Sequence, residues 1–315
     1  MTDPQPPKTT PKQWSGKSRG GRTGHWVFIQ LLRRCGLRAA YVLLVPVAAY
    51  MLATSPKGRR ASHAYLQRAG VINAQTSLLK KLWITYRHFY IFGVLLVDRL
   101  AALVAPNIHF HFEEDGVDHI RAAMQHDDGV ILLSAHVGNW EVAARAIAPL
   151  GRRVNVVAYQ GESGPIRQLL EAYSENPPFE LIEIDGGPNS SLAISAALRR
   201  GEIVAMHGDR SIRESGVRAT VLGGAVTLPN GPFVLAAVSD AVLVETFAIR
   251  LGCGRYRLKA YPPRKLAFAS RQSRQSDLQQ WAQTYVEHLE ARVHEAPLQW
   301  WNFYDYWPAQ DAAPA

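Results

Sequence analysis

The chain of 315 residues predicts an α/β fold: a mixed central sheet with helices on both faces, preceded by membrane-associated helices at the N-terminus. Three observations predict it. Short runs of β-formers, such as Val130–Leu133 and Val154–Tyr159, alternate with helical stretches of about ten residues, the pattern of βαβ crossovers. Hydrophobic residues make up 47% of the chain and charged residues 19%. That supports a full core in one large domain or two small ones, and excludes both a disordered chain and one fully embedded in a bilayer. The third observation is where the charge lies.

The net charge of +9 suggests nucleic acid until it is located. Of 35 Lys and Arg, 11 fall in residues 1–60, against Asp3 as the only acid there. The remaining 24 basic and 25 acidic residues leave the body at −1. A neutral body argues against a nucleic-acid partner. Cys35 and Cys253 are too few and too far apart for a disulfide framework, so a reducing compartment is expected.

Residues 1–24, rich in Pro, Lys, Thr, Gly and Ser, read as a disordered basic arm. Residues 25–60 read as a membrane-associated helical segment. The uncharged run Ala39–Thr54 holds 16 residues and is broken by Pro46, short of the roughly 20 a spanning helix wants. Arg33, Arg34 and Arg38 precede it and Lys57, Arg59 and Arg60 follow. Positive charge at both ends suits a segment lying in or dipping into a cytoplasmic leaflet. The competing reading is a buried helical pair of the globular domain.

Residues 61–307 form the main domain. Ser62–Val104 carries apolar residues at helical spacing and ends before Pro106. Ile108–Phe112 alternates as a strand, and a helix covers about Val117–Gln125. Val130–Leu133 is a strand whose end passes through His136 and Gly138 into a helix from Glu141. Strands follow at Val154–Tyr159, Phe179–Ile184 and Ile203–Met206, with helices near Pro165–Tyr173 and Ser190–Arg199 between them. Val217–Val221 precedes a Gly223-Gly224 turn and a helix near Phe233–Ser239. Ala241–Ile249 and Tyr256–Tyr261 are the last strands. A helix at Trp281–Val293 leads into the aromatic run Pro297–Trp307, and residues 308–315 read as a disordered tail.

Open α/β sheets place their sites in loops at the carboxyl ends of strands. Two loops qualify: Ser134–Glu141 and His207–Arg210. Together they hold a histidine, two acids and an arginine, a set suited to taking a proton from a hydroxyl and stabilising an anionic intermediate. The alternatives are structural: His136 as a hydrogen-bonded strand-end histidine, Glu141 as a first-turn acid complementing a helix dipole, and Asp209 with Arg210 as a surface ion pair. Phosphate-binding glycine loops and a Gly-x-Ser-x-Gly elbow are absent from the sequence. His109, His111 and His207 lack the acid or cysteine spacing of a metal site.

His136-Val-Gly-Asn-Trp-Glu141 resembles the His-x4-Asp/Glu motif of glycerolipid-type acyltransferases, in the version of the bacterial lipid A biosynthesis (late) acyltransferase family. His207-Gly-Asp-Arg210, Leu222–Ala236 and Pro297-Leu-Gln-Trp-Trp are similar to that family's later blocks, in the same order. The resemblance covers about residues 25–307 and implies that 61–307 is an acyltransferase domain. It implies transfer of a fatty acyl group from an acyl-carrier-protein or acyl-CoA thioester to a hydroxyl of an envelope lipid or glycolipid, at the cytoplasmic face of the bacterial inner membrane. It implies neither metal nor cofactor. His136 would be the general base and Glu141 would orient its ring. Asn139, Arg167, Asp209 and Arg210 would contact substrate, the arginines holding phosphate. Backbone N–H groups near Gly138–Trp140 would meet the oxyanion. A thioesterase using the same pair on water, and a non-catalytic lipid-binding protein, are the rival readings.

Overall fold

The computed structural model describes residues 21–105, 107–125, 127–147, 151–159, 179–184, 188–211 and 216–307. The arm through residue 20, the tail from 308 and the helix expected near Pro165–Tyr173 lie outside them.

The N-terminal part is three helices. α1 (Gly21–Thr54) bends at Gly36, which takes a left-handed φ of 76°. α2 (Pro56–Arg68) opens with a proline in its first turn, where no N–H is needed. α3 (Leu78–Val104) is capped by Ser77, whose side chain accepts a bond from the Lys80 N–H. The single helical pattern expected over Ser62–Val104 is thus two helices. Gly70, at φ 71°, and the Asn73–Thr76 turn separate them. Ile29, Leu32, Ala40 and Leu44 of α1 are buried in one cluster with Val94, Val97 and Ala101 of α3. The buried-helix reading thus holds for one face of α1, which is core, while Val42, Val45 and Tyr50 on the other side are exposed. Trp26–Thr54, with a mean hydropathy of 1.7, is by length and composition alone capable of crossing a membrane.

The rest is a three-layer α/β domain. Its sheet contains β1 (His111–Asp115), β2 (Val130–Ser134), β3 (Val154–Tyr159), β4 (Glu180–Ile184), β5 (Ile203–His207), β8 (Val242–Gly252), β9 (Arg255–Ala260) and the short β10 (Arg264–Lys265). The order is β1-β9-β8-β2-β5-β3-β4, with β10 on β8. β8 runs antiparallel to β9 and β10, and the other pairs are parallel. The mixed sheet predicted from the sequence is therefore present.

β2 sits at the centre and every one of its residues is buried, which is why it reads as a continuous apolar run instead of alternating. Val130 and Leu132 face a layer with α1, α3, α4 (Val117–Ala123) and α5 (Trp140–Ile147). Ile131 and Leu133 face α6 (Pro188–Arg199), α7 (Gly231–Val238) and α8 (Arg274–Glu295). In α8, Leu278, Ala282, Tyr285, Val286, Leu289 and Val293 form one buried stripe at helical spacing.

Two differences from expectation have clear causes. The first strand begins at His111 because Ile108 and Phe110 pack as loop residues on the core before pairing with β9 starts. Gly223 turns a hairpin: β6 (Val217–Val221) pairs with β7 (Gly224–Leu228), each alternating buried and exposed. That second strand is hidden in the sequence between glycines and Pro229.

His88 of α3 is buried and joins the N-terminal helices to the C-terminal segment. Its ring bonds the Ser62 hydroxyl at 2.8 Å and the Trp300 carbonyl at 2.9 Å. Burial holds its pKa down, to about 4. A histidine whose folded value is depressed stabilises the fold fully above its unfolded value of about 6.5, and that contribution is lost as pH falls towards 4. Melting temperature should therefore drop between pH 7 and pH 4.5. His88→Gln should lower it at pH 7 and flatten that part of the curve, as scanning calorimetry across pH would show.

Candidate active site

The site is built by register. β2 and β5 are adjacent and parallel, with Ser134 opposite His207. Residues two beyond each strand end therefore meet. His136 Nδ1 lies 2.8 Å from Asp209 Oδ1, and the His136 backbone N–H donates to Asp209 Oδ2 at 3.2 Å. An ionised carboxylate only accepts, so the ring's Nδ1 carries the proton and Nε2 is left as the basic nitrogen.

Asp209 is fully buried. The Trp300 indole N–H donates to its Oδ2 at 3.0 Å, and the Arg210 Nε lies 3.8 Å from the same oxygen. Burial would push this carboxyl up, but His136, the bond from its ring and Arg210 outweigh that and hold it well below the usual carboxylate range. It is a fixed negative charge at any working pH.

The C-terminal segment clamps this loop. Val137 forms a bridge with Trp300. Trp301 N–H donates to the His136 carbonyl at 3.0 Å, and Gly138 N–H donates to the Gln299 carbonyl at 3.0 Å. The Gln299 side chain exchanges two bonds with the Arg250 backbone, at 2.8 and 2.9 Å, which ties the segment to β8. On the other side Asn139 N–H donates to the Ala248 carbonyl. Gly138 has φ 70°, and a Cβ there would sit 1.9 Å from the Ala248 oxygen, so no other residue fits.

Glu141, expected to orient His136, is directed elsewhere. It is buried in the first turn of α5 and its Oε1 is 2.8 Å from the Arg99 Nε of α3. The first turn of α5 packs against α3, where Glu141 meets Arg99, while the strand-end loop turns the His136 ring towards the loop after β5. The ring-facing carboxylate is Asp209.

Residues 86–308 match the family described as bacterial lipid A biosynthesis acyltransferase. The chain belongs to that family. It is similar to a phosphatidylinositol mannoside acyltransferase of Mycobacterium tuberculosis (strain ATCC 25618 / H37Rv), with 28% identity over 148 residues, 47% of this chain and 46% of the relative. The protein of the same name from Mycolicibacterium smegmatis (strain ATCC 700084 / mc(2)155) is 23% identical over 212 residues, 67% of each chain. This chain thus spans about half the length of the first relative that it matches.

The other residues expected to touch substrate divide. Asn139 is fully buried; its amide donates to the Leu95 carbonyl at 2.8 Å and accepts from Val142 N–H at 3.4 Å. It caps α5 and ties it to α3. Arg210 donates to the Trp301 carbonyl and lies 5.1 Å above the Tyr304 ring, partly exposed at the rim. Arg167 lies outside the described residues. Two of the N–H groups expected at the oxyanion, those of Gly138 and Asn139, are occupied by the Gln299 and Ala248 carbonyls.

Trp300 and Gln299 are the site residues that side-chain chemistry did not single out. The Pro-x-Gln-Trp pattern was the available signal, but nothing in it says that the indole reaches Asp209. A mainly apolar cleft lies between α5 and the sheet, lined by Leu132, Ala143, Ala144, Ile147, Val154 and Leu258, with Ser134, Trp140 and His207 also in its lining. Among the described residues no group of three or more His, Cys, Asp or Glu is arranged to hold a metal ion.

The geometry separates the two acids in a measurable way. Asp209→Asn should lower kcat by ~10²–10⁴ by losing the Nδ1–H tautomer and the charge beside it. Glu141→Gln should lower kcat less than about tenfold while reducing thermal stability, because it disturbs a buried pair with Arg99. Steady-state rates and melting curves of the two variants distinguish the roles.

Proposed function

We propose that this protein transfers a fatty acyl group from an acyl-carrier-protein or acyl-CoA thioester to a hydroxyl of a membrane lipid or glycolipid, with His136 as general base. The observation that carries the proposal is the His136–Asp209 dyad next to an apolar cleft, one of whose lining residues, His207, has its ring centroid 4.1 Å from that of His136. In this reading the cleft takes the acyl chain and the thioester carbon lies beside His136 Nε2. The family supports acyl transfer, and the relatives named for phosphatidylinositol mannoside support a glycolipid acceptor.

In this reading, His136 Nε2 takes the proton of the acceptor hydroxyl as its oxygen attacks the thioester carbonyl carbon. Asp209 stabilises the imidazolium that forms. The tetrahedral intermediate collapses, the C–S bond breaks, and the departing thiolate receives the proton from His136. In this reading Arg210, whose side chain is partly exposed, meets the phosphate of the donor arm or of a lipid headgroup.

The membrane side of the proposal rests on a continuous apolar face. Trp26, Val42, Val45 and Tyr50 of α1 are exposed, as are Leu78, Leu79, Leu82 and Trp83 at the start of α3. Tyr86 and Tyr90 of α3 donate to the Val45 and Tyr41 carbonyls, joining the two helices edge to edge. Exposed Lys57, Arg59, Arg60, Lys80 and Arg87 surround the face, as a surface meeting anionic lipid requires.

His136→Ala should reduce acyl transfer to membrane lipid by at least 10²-fold, followed by radiolabelled palmitoyl thioester and thin-layer separation of lipids; a wild-type rate in that variant would sink the mechanism. Free fatty acid released by the wild type with or without lipid, and no acylated lipid, would instead identify a thioesterase. Because both positions are exposed, the double substitution Leu79→Glu, Trp83→Glu should leave the melting temperature unchanged and weaken sedimentation with anionic liposomes by tenfold or more.

A further inference from the structure

The neutral imidazole of a second histidine stands beside the base. His207 ends β5, and its ring centroid lies 4.1 Å from that of His136, tilted at 49°. On its other side it meets the edge of Trp140, with centroids 5.8 Å apart. It also lines the apolar cleft. Neither ring nitrogen has a hydrogen-bond partner among the described residues, in contrast to His88 and His136.

Acyl transfer needs donors at the carbonyl oxygen, because negative charge develops there. Two of the backbone N–H groups expected there do not supply them, since Gly138 and Asn139 donate to the Gln299 and Ala248 carbonyls. We propose that His207 is a second catalytic residue, whose ring N–H donates to the thioester carbonyl oxygen as it becomes the oxyanion. The inference rests on the acyl-transfer reading given above. It follows from position: His207 both lines the cleft and adjoins the His136 ring, so a carbonyl carbon brought from the cleft to His136 Nε2 lies within reach of it.

The charge state agrees with this role. Burial, with His136 beside it, holds the His207 imidazole far below its usual pKa. The ring is neutral at working pH and keeps one N–H and one acceptor nitrogen. A second cation next to His136 would resist formation of the imidazolium that the base must become; a neutral donor does not. The proton on His207 stays there throughout. Only its hydrogen bond strengthens as the C=O bond opens to the tetrahedral intermediate, and it relaxes when the C–S bond breaks. A neutral imidazole used as an electrophile is established chemistry in other enzymes.

The test compares His207→Phe, which keeps a flat ring packed on Trp140 but has no donor, with His207→Gln, which restores an N–H. Turnover is measured with palmitoyl-CoA or palmitoyl-acyl-carrier protein, whichever the wild type uses, and vesicles containing a phosphatidylinositol mannoside. Binding of the matching palmitoyl thioether, which cannot form an oxyanion, is measured in parallel. His207→Phe should lower kcat by about 10²–10³-fold with KM and thioether affinity within threefold of wild type, and His207→Gln should recover at least tenfold of the loss. A kcat within threefold of wild type in His207→Phe overturns the inference. So does a loss of thioether binding that matches the loss in rate, or His207→Gln performing no better than His207→Phe. His136→Ala assayed alongside separates the two levels: if it too is fully active, or if the wild type turns over neither donor, the acyl-transfer reading falls and this inference with it.

Discussion

Everything at the site depends on the pairing of β2 with β5. The two strands are neighbours, parallel and in a register that sets Ser134 against His207. Both stop there, and both chains then turn out at the same end of the sheet. A one-residue slip would turn alternate side chains to the opposite face and part His136 from Asp209. Ile131 and Leu133 pack into one layer and Val130 and Leu132 into the other, so a slipped pairing would have to exchange these side chains between two close-packed layers.

Register brings the dyad together, and the C-terminal segment makes it rigid. Trp300 is fully buried, its indole N–H is bonded to Asp209, and its carbonyl receives a bond from His88 of α3. The same segment bridges Val137 and ties Gln299 to Arg250. One stretch near the chain's end therefore touches the base loop, the acid loop, a central strand and an N-terminal helix. Removing a tryptophan this buried costs about 3–5 kcal/mol from the lost side chain alone, before any effect on the carboxylate. The clamp also explains why Asp209 stays ionised without solvent: four polar contacts replace its hydration.

Function, in the reading proposed, follows from three kinds of surface: exposed apolar residues of α1 and α3 for lipid, the partly exposed Arg210 beside the dyad, and a mainly apolar cleft next to the dyad at His207. An acyl thioester has matching parts: a phosphate-bearing arm, a reactive carbonyl and a hydrocarbon chain. Glu141, for all its prominence in the motif, pairs with Arg99 and joins α5 to α3.

Much of this was legible in the residues. The uninterrupted run at Val130–Leu133 announces a strand buried on both faces, the glycine at 138 announces a turn, and the local charge excess separates the arm from the body. The paired loops after β2 and β5 could be chosen because strand ends in α/β sheets are where sites form. Missing from the sequence was everything set by contact between distant segments. His136 and Glu141 are five residues apart, His136 and Asp209 seventy-three, and Asp209 and Trp300 ninety-one. Spacing along the chain predicts partners only within one helix or strand, where geometry repeats. Between elements, the partner is decided by which strands lie side by side and which helix covers them. So the sequence by itself determined that a histidine and an acid would stand at a strand end. Only the tertiary structure decided that the acid on the ring is Asp209, that Trp300 holds it, and that the Gly138 and Asn139 N–H groups already have partners.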